Sequence, residues 1–523
     1  MVNRKNQYIY QKIILFLIII FIIFFISQNF LIKIQKTFIK HIYNNHTFIL
    51  NNNLTFKKVS IAHYTTSYGI RTDSHTKIFN DNLKHICNIL DPEDYSLADS
   101  VFVNLVDFVH FPILSNDISY RSLHQSQLWI VHSEESPRNS YRTVDMKNIK
   151  DFDDWFNLTS TFKPESDFHV QYRGYRIKPE IGDILKSKLN INLHQTINLT
   201  LDLLSDTFMN VSSIYLNTLS SIFHKELINR KEILLNICPY TCNQPLSSHA
   251  IKSLQPYLKQ TKQKILNQNI VYIAWFVSNC NTHSRREDYV NKLRSQKNIH
   301  IDIYGNCKSI YHSPILSIQC QKGTSNCMEN ILLNYRFYLS FENSKCDTYI
   351  TEKYWIQGLN GHAVPIVLGA KKEQYQRIAI PNSYIHVDDF QTIEDLAKEL
   401  HRLNKNYSEY SKYLQWTQLY DISIHYRPTS IIDMHSTLCF LGHYQYLHSI
   451  KEKNQHVLYL MNIIRKIFNI TNMRLPNFNW TIAKTNLIRI SQFYNPNVNC
   501  WDNNYPSIFK QIYNYLFTWW KLF

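Results

Sequence analysis

The chain is poor in glycine, with only 9 in 523 residues. That scarcity argues against a collagen-like or flexible low-complexity protein. No glycine-rich dinucleotide fingerprint is present, so NAD chemistry is not predicted. Dense Lys/Arg runs are also missing, so nucleic acid is not an expected partner. A zinc site is not expected, because the nearest approach to a CxxC pair is the wider CxxxC of Cys238 and Cys242.

Basic and aromatic residues are plentiful instead. The formal net charge is +16, which suits an anionic ligand or a membrane surface, or is simply a solvated basic surface. The 35 tyrosines and 29 phenylalanines supply ample material for packed cores. The length is sufficient for two or three domains.

The longest apolar stretch lies near the N-terminus. Ile13 to Ile26 is uninterrupted, and further apolar residues extend it to Ile32, about the length of a helix that crosses a bilayer. No small-residue cleavage site follows, so an uncleaved signal anchor is favoured over a cleaved signal peptide. We predict a cytosolic tail at 1–12, a transmembrane anchor in the lipid bilayer at 13–32 and a polar stem at 33–55.

The body after the anchor has luminal features. All ten cysteines follow the anchor, and the cluster of Cys307, Cys320, Cys327 and Cys346 is typical of disulfides in an oxidising compartment. This layout predicts a single-pass type II protein of the Golgi membrane, with the body in the lumen. Eight N-x-S/T sequons are glycosylation candidates: Asn45, Asn53, Asn157, Asn198, Asn210, Asn406, Asn469 and Asn479.

Strand-like runs mark a first α/β domain. Runs at 59–62, 100–106 and 128–132 predict a Rossmann-like domain over 56–175. Residues 176–268 show no strand period and predict a helical insertion or connection.

A second α/β domain is predicted over 269–445. Short apolar runs alternate there with amphipathic helices, which indicates a parallel sheet covered on both faces. The remainder, 446–523, is predicted to be a helical or irregular C-terminal extension.

The most informative stretch is 336–369. A strand-like run ends in Glu342 and Asn343, a helix start follows that carries Glu352 and Lys353, and a second strand-like run ends in glycine. Polar side chains at the end of a strand lie where open α/β sheets bind ligands. The stretch therefore predicts a β–α–β unit with a ligand site.

This stretch closely resembles the donor-binding signature of the α-1,3-fucosyltransferases, enzymes that use GDP-fucose. The resemblance is good over 270–445 and looser over 95–175, where Glu135-Ser136-Pro137 matches a family element. It implies a GT-B-like fold, in which two Rossmann-like domains face a cleft. The first domain would bind the acceptor and the second GDP-fucose.

The resemblance implies a glycosyltransferase of the hexosyltransferase class. Its reaction would be inverting transfer of L-fucose from GDP-fucose, in α-1,3 linkage, to GlcNAc of glycoprotein or glycolipid glycans. Such a displacement needs a base for the acceptor hydroxyl and cations or amides for the departing diphosphate. By resemblance Glu135 is the catalytic base, and Glu134 is the alternative. A surface-loop acid without a role is the competing interpretation.

The resemblance also implies a set of donor-binding residues. Arg286 and Lys353 would contact the diphosphate, with Arg285 as the alternative to Arg286. Glu352 would accept hydrogen bonds from sugar hydroxyls and stabilise the positive charge that develops on the sugar. The other positions that match the nucleotide site are Ser278, Asn279, Asn343 and Tyr349. Alone, each would be a surface, turn or capping residue.

No metal or other cofactor is expected to be required, because Arg286 and Lys353 would neutralise the diphosphate; Mn²⁺ would at most stimulate activity without a dedicated site. Asp151-Phe152-Asp153 is nevertheless a D-x-D string, the type of pair that holds Mn²⁺ in the other large glycosyltransferase fold. A metal-dependent GT-A-type glycosyltransferase is therefore one alternative. The second is a catalytically inactive, membrane-tethered glycan-binding protein.

The cysteines depart from part of the family. Many vertebrate-like members carry a C-x-x-C near the C-terminus, whereas here Cys439 stands alone and Cys500 is its expected mate. The four-cysteine cluster resembles invertebrate or plant members, so the choice between inner-core and antenna GlcNAc stays open.

Overall fold

The computed structural model describes most of the body of the chain. The predicted tail, anchor and stem lie outside the described residues, and within these residues no helix has both the length and the apolar character needed to cross a bilayer. The described residues are 58–63, 83–108, 127–140, 153, 155–170, 172–193, 214–237, 243–259, 269–309, 325–359, 363–423, 431–449, 455–470, 490–494 and 496–501.

Among the described residues, the strands fall into two parallel sheets and one short antiparallel pair. In chain order they are β1 Val59–His63, β2 Cys87–Leu90, β3 Ser100–Asn104, β4 Leu128–Ser133, β5 Leu158–Thr161, β6 Phe168–His169, β7 Gly174–Ile177, β8 Val271–Phe276, β9 Ile299–Tyr304, β10 Phe337–Phe341, β11 Val364–Leu368, β12 Ile385–His386 and β13 Tyr420–Ser423.

The helices range from single turns to 24 residues. They are α1 Leu105–Phe108, α2 Pro137–Ser140, α3 Pro179–Leu189, α4 Ile214–Ile237, α5 Ser248–Leu254, α6 Arg286–Arg294, α7 Ser325–Leu332, α8 Lys372–Ile378, α9 Ile393–Lys405, α10 Tyr407–Lys412, α11 Trp416–Leu419, α12 Ile431–Ser449, α13 Gln455–Ile470, α14 Ile490–Phe493 and α15 Pro496–Asn499. A π-helical turn, Lys353–Gly358, and several 3₁₀ turns complete the described secondary structure.

The first sheet has the order β2-β1-β3-β4-β5-β6, and its pairs are parallel. Strands β3 and β4 are buried along their whole length, as expected for strands with both faces covered. Alternate residues of β3 pack into opposite cores. Phe102 joins a core with residues of α12 and α13, whereas Val101 and Val103 join an aromatic core that contains Trp129, Trp155 and Phe162.

The second sheet has the order β12-β11-β10-β8-β9, again parallel. Strand β10 lies at its centre with every residue buried. Helix α9 covers one face: its N-cap Thr392 accepts a hydrogen bond from the Asp395 amide at 3.1 Å, and an apolar stripe that includes Leu396 and Leu400 is buried. The predicted second α/β unit with a parallel sheet is confirmed.

Two features tie the sheets together. Strand β7 pairs antiparallel with β13, so the segment after the first sheet meets the segment that follows the second. Helices α12 and α13 then return to pack against β1 and α4. The region 176–268 contains α3, α4 and α5, and strand β7 runs two residues into it.

The disulfides correct one expectation. Cys439 pairs with Cys87, and Cys500 pairs with Cys346, so the expected Cys439–Cys500 bond is wrong. The reason is that α12 places Cys439 next to Cys87 on the edge strand β2, whereas Cys500 packs beside Cys346 after β10. Cys307 bonds Cys280, which lies outside the cysteine cluster. His443 lies beside the Cys87–Cys439 sulfurs, but sulfurs bonded to each other are not thiolate ligands for a metal.

Candidate active site

The first wall of the site is the turn after β4. Glu135 is half-buried there, and Pro137 begins the one-turn helix α2 immediately afterwards. The Glu135 carboxylate accepts a hydrogen bond from Asn139 Nδ2 at 3.0 Å, one turn along the helix. Tyr349 Oη donates a second hydrogen bond to the same oxygen, also at 3.0 Å. Two neutral donors therefore orient the carboxylate.

The same turn touches the second sheet directly. Ser136 Oγ donates to Ser344 Oγ at 2.8 Å, and both serines are fully buried. Ser344 and Tyr349 follow β10, just as Glu135 and Ser136 follow β4. The carboxyl ends of the two sheets thus meet at this point, where α/β sheets carry their ligand sites.

Two tyrosines line this junction: Tyr349 is buried, and Tyr172 is partly buried against the same aromatic core. Tyr172 Oη donates to the main-chain carbonyl of Glu134 at 2.5 Å, and its ring lies edge-on to Tyr349 at 6.4 Å. Burial raises the pKa of both phenols well above the usual value, and nearby acids such as Glu135 raise it further. Both tyrosines therefore remain neutral hydrogen-bond donors at physiological pH.

The second wall of the site is the segment after β10, residues 342–353, and it contains a buried carboxylate. Glu342 directly follows β10 and is fully buried. It accepts hydrogen bonds from the Thr351 amide at 2.8 Å and the Thr351 hydroxyl at 2.8 and 2.9 Å. Burial raises its pKa, although Lys353 opposes the shift.

The close approach at Glu342 requires a glycine opposite. A Cβ atom added at Gly369 would lie 2.6 Å from Glu342 Cγ, which no side chain can accept without movement. The glycine that ends the predicted β–α–β unit therefore gives Glu342 its space.

Lys353 lies between two carboxylates. Its ammonium is 3.3 Å from Glu342 and 2.9 Å from Glu352, and it donates to Thr351 Oγ1 at 3.0 Å. Burial opposes its charge, but the two glutamates outweigh burial and raise its pKa. Burial also works against the Glu352 carboxylate, yet the ion pair with Lys353 lowers its pKa. Both side chains are charged at neutral pH, and the Glu352 side chain is 40% exposed.

Arg286 is more deeply placed than expected for a ligand contact. It is 3% exposed, and its guanidinium donates to the carbonyl of Phe341 at 2.6 Å and that of Asn279 at 3.0 Å. It thereby ties together the ends of β8 and β10. The alternative, Arg285, lies at the surface: its side chain is 68% exposed and pairs with Asp288 at 2.9 Å.

The remaining predicted donor residues lie at the same sheet edge. Ser278 and Asn279 are exposed directly after β8. Asn343 follows Glu342, and its Oδ1 is buried without a hydrogen-bond partner among the described residues. A buried acceptor of this kind is costly unless a ligand or water satisfies it.

Other predicted positions are less central. Asp151 lies outside the described residues, as do Asn45, Asn53, Asn198, Asn210 and Asn479; the Asn469 side chain is likewise not described. Asn157 is buried, and its Oδ1 accepts from the Trp129 amide at 2.9 Å, which disfavours a glycan there. Asn406 caps α10 through its side chain at the surface.

Two family models match this chain. One is described as "Fucosyltransferase, N-terminal" and matches residues 56–173; the other is "Glycosyltransferase family 10 (fucosyltransferase) C-term" and matches residues 266–462. Together they span more than half of the chain and contain both walls of the site. The chain belongs to the glycosyltransferase family 10 fucosyltransferases.

Individual relatives agree with the family. Alpha-(1,3)-fucosyltransferase fut-1 of Caenorhabditis elegans is 39% identical over 28% of this chain and 32% of its own length. Glycoprotein 3-alpha-L-fucosyltransferase A of Drosophila melanogaster is 39% identical over 31% and 32%. The human 4-galactosyl-N-acetylglucosaminide 3-alpha-L-fucosyltransferase FUT5 is 28% identical over 64% and 63%. The matches thus span less than two thirds of these relatives.

Solved structures are more distant. A crystal structure of an alpha1,3-fucosyltransferase with GDP-fucose is similar over 70% of this chain and 83% of that chain, with 15% sequence identity and a TM-score of 0.34.

Several side chains of this site are not predicted from the sequence. The sequence predicts Glu342 only as the end of a strand, although an acid at the end of a buried strand is itself a signal. Asn139 and Tyr172 carried no local signal, because their contacts depend on the three-dimensional placement of the β4 turn. Tyr494 is more remote still: its hydroxyl donates to the main-chain carbonyl of Glu135 across 359 residues of sequence.

Proposed function

We propose that this protein is a Golgi membrane enzyme that transfers L-fucose from GDP-fucose, with inversion, in α-1,3 linkage to GlcNAc of glycoprotein or glycolipid glycans. The observation that carries the proposal is the 3.0 Å contact between the Glu135 carboxylate and Tyr349. It joins the predicted base to the segment that holds Glu352 and Lys353. A base on one wall and a donor site on the other are the two requirements of this reaction in a two-lobed, GT-B-like enzyme.

The base is arranged for proton transfer. Asn139 and Tyr349 orient the Glu135 carboxylate with neutral donors on one oxygen, Oε2, which leaves Oε1 for the acceptor hydroxyl. As that hydroxyl loses its proton to Glu135, its oxygen attacks the anomeric carbon of fucose from the face opposite the diphosphate. The bond from that carbon to the phosphate oxygen breaks, and GDP leaves with the electron pair.

The second wall would hold the donor. Lys353 would face the diphosphate, and Glu352, which is partly exposed beside it, would accept from sugar hydroxyls and stabilise positive charge on the fucose ring. Asn343 Oδ1, which has no partner among the described residues, could accept a hydrogen bond from a hydroxyl or amine of GDP-fucose. Arg286 acts mainly by fixing the ends of β8 and β10, and its additional N–H groups would reach the diphosphate only from a buried position.

The direct test is fucose transfer by the full-length protein in detergent. It is incubated with GDP-fucose and an array of GlcNAc-terminated, inner-core and antenna glycans, and the linkage of the product is mapped. Transfer to the 3-hydroxyl of GlcNAc supports the proposal, and the array identifies the acceptor. GDP-fucose binding without transfer to any glycan would instead indicate a glycan-binding protein. Loss of transfer both with EDTA and in Asp151→Ala would indicate a metal-dependent enzyme.

The membrane placement has its own test. A tagged full-length chain should co-localise with Golgi-stack markers, with its C-terminus protected from protease in sealed vesicles. Deletion of 1–32 behind a cleavable signal should release the body into the medium. A protein that stays in the cytosol, or whose body faces the cytosol, contradicts this part of the proposal.

A further inference from the structure

The segment 490–501 lies outside both matched family regions but contacts both walls of the site. It consists of α14, Tyr494, α15 and the two residues after α15. Within this segment only residue 495 is not described. We call these residues the C-terminal strap. From sequence alone this region is predicted only to be part of a C-terminal extension. In the structure, Tyr494 and Cys500 belong to the same buried core as Tyr349 and Phe162.

The strap fixes the first wall through Tyr494. This side chain is fully buried, and its hydroxyl donates to the main-chain carbonyl of Glu135. Its ring packs edge-on against Phe162 at 6.0 Å. The neighbouring Phe493 carbonyl accepts from Lys163 Nζ at 2.8 Å, and the same ammonium lies 4.6 Å from the Phe493 ring.

The strap is also bonded to the second wall. Cys500 forms a disulfide with Cys346, three residues before Tyr349. Main-chain bonds flank the disulfide: the Asp347 amide donates to Asn499 at 2.8 Å, and the Trp501 amide donates to Lys345 at 2.9 Å. The donor-side loop after β10 is therefore held covalently to the segment that holds the Glu135 turn.

We propose that the C-terminal strap sets the position of the Glu135 turn relative to the donor wall, with Tyr494 as a positioning residue and Cys346–Cys500 as its covalent tie. The inference rests on the proposed function. Tyr494 touches the backbone of the base and not its carboxylate, so it acts through Glu135. A displacement of about 1 Å at a reacting group is enough to cost roughly 10²-fold in rate.

The test uses the full-length chain and a matched pair of disulfide deletions. One variant carries Cys346→Ser with Cys500→Ser, and the control carries Cys87→Ser with Cys439→Ser, which removes an equal number of sulfurs away from the site. We expect the strap variant to lose roughly 10- to 100-fold in kcat for transfer while the Kd for GDP stays within about threefold. The control should lower the melting temperature and leave kcat of the folded fraction within about twofold.

Tyr494→Phe supplies a variant that keeps the ring and removes only the hydroxyl. It should lower kcat for transfer while the Kd for GDP stays within about threefold, because the removed hydroxyl contacts the Glu135 turn. Tyr494→Ala should lower transfer further. A loss of GDP affinity as large as the loss of kcat would assign the residue a purely structural role and overturn the proposal.

The outcomes also separate this inference from the proposed function. An active wild type with equally active strap variants rejects the strap alone. The strap proposal is also rejected if, in both disulfide variants, the loss of kcat is proportional to the fall in melting temperature. A wild type that binds GDP but transfers no fucose rejects the enzyme function, and the strap proposal with it.

Discussion

The two walls of the site differ in how their acids are supported. On the first wall, Glu135 receives hydrogen bonds from an amide and a phenol, both neutral. On the second wall, Glu342 and Glu352 are held by the ammonium of Lys353. A general base has to gain and lose a proton in each turnover, and a strong ion pair would oppose that change. A donor site needs charges that persist, and ion pairs maintain them.

The comparison also separates roles within the second wall. Glu342 has no exposed surface, whereas the Glu352 side chain is 40% exposed. Only Glu352 can meet a ligand directly, and Glu342 serves to place Lys353 and Thr351. The walls therefore differ in chemistry, and each difference can be tested by one substitution.

Replacement of the proposed base should give the largest effect. Glu135→Gln keeps the shape of the side chain and its hydrogen bonding but removes the proton acceptor. We expect kcat to fall by roughly 10²- to 10⁴-fold, with the Kd for GDP unchanged, as measured by steady-state transfer assays and calorimetry. The control is Glu134→Gln, whose position contributes its main-chain carbonyl to Tyr172. Normal turnover in Glu135→Gln with loss in Glu134→Gln would move the base by one residue.

Removal of the cation on the second wall should come next. Lys353→Ala removes the cation that we propose contacts the diphosphate, and we expect GDP affinity to fall by about 10- to 150-fold. Stability should also fall, because the buried Glu342 carboxylate loses its counter-ion. The matched control is Lys398→Ala, an exposed lysine paired with Asp395, for which no change in GDP affinity is expected. Unaltered GDP binding in Lys353→Ala would leave the donor wall without its assigned cation.

These walls also show what the sequence could and could not predict. The strand-like runs at 128–132 and 337–341 and the polar residues after them were readable, because a parallel sheet collects strand ends at one edge. The resemblance alone assigns Arg286 to the diphosphate, and its neighbours in sequence do not predict its burial against two carbonyls. The partner of Cys500 depended on where α12 and the strap pack, which is a tertiary property. Contacts such as Tyr494 to Glu135 join residues too far apart for any local pattern to reveal.

A smaller loss should follow removal of the contact between the walls. Tyr349→Phe keeps the ring in its buried aromatic cluster but removes the hydroxyl that donates to Glu135. Asn139 still orients the carboxylate, so we expect only about a tenfold fall in kcat, near the lower limit for a hydrogen bond to a charged group. Tyr172→Phe is the control, since its hydroxyl contacts main chain only, and its effect on kcat should be weaker. A larger loss in the control would argue that the Glu134 carbonyl, and not the carboxylate contact, controls the turn.

The smallest effect concerns pH and isolates the buried acid of the second wall. Burial raises the pKa of Glu342 above the ordinary 4.5. Between pH 4.5 and the folded-state pKa, the folded protein retains a proton that the unfolded chain has lost, so its stability rises as the pH falls through this window. Lys353, with a raised pKa, and Glu352, with a lowered one, keep their charges there. The free energy of unfolding of wild type minus that of Glu342→Gln, measured by denaturant titration from pH 7 to 4.5, should therefore increase toward acid. A decrease would mean that Thr351 and Lys353 outweigh burial, and that Glu342 is an ordinary ion-pair partner much like Glu352.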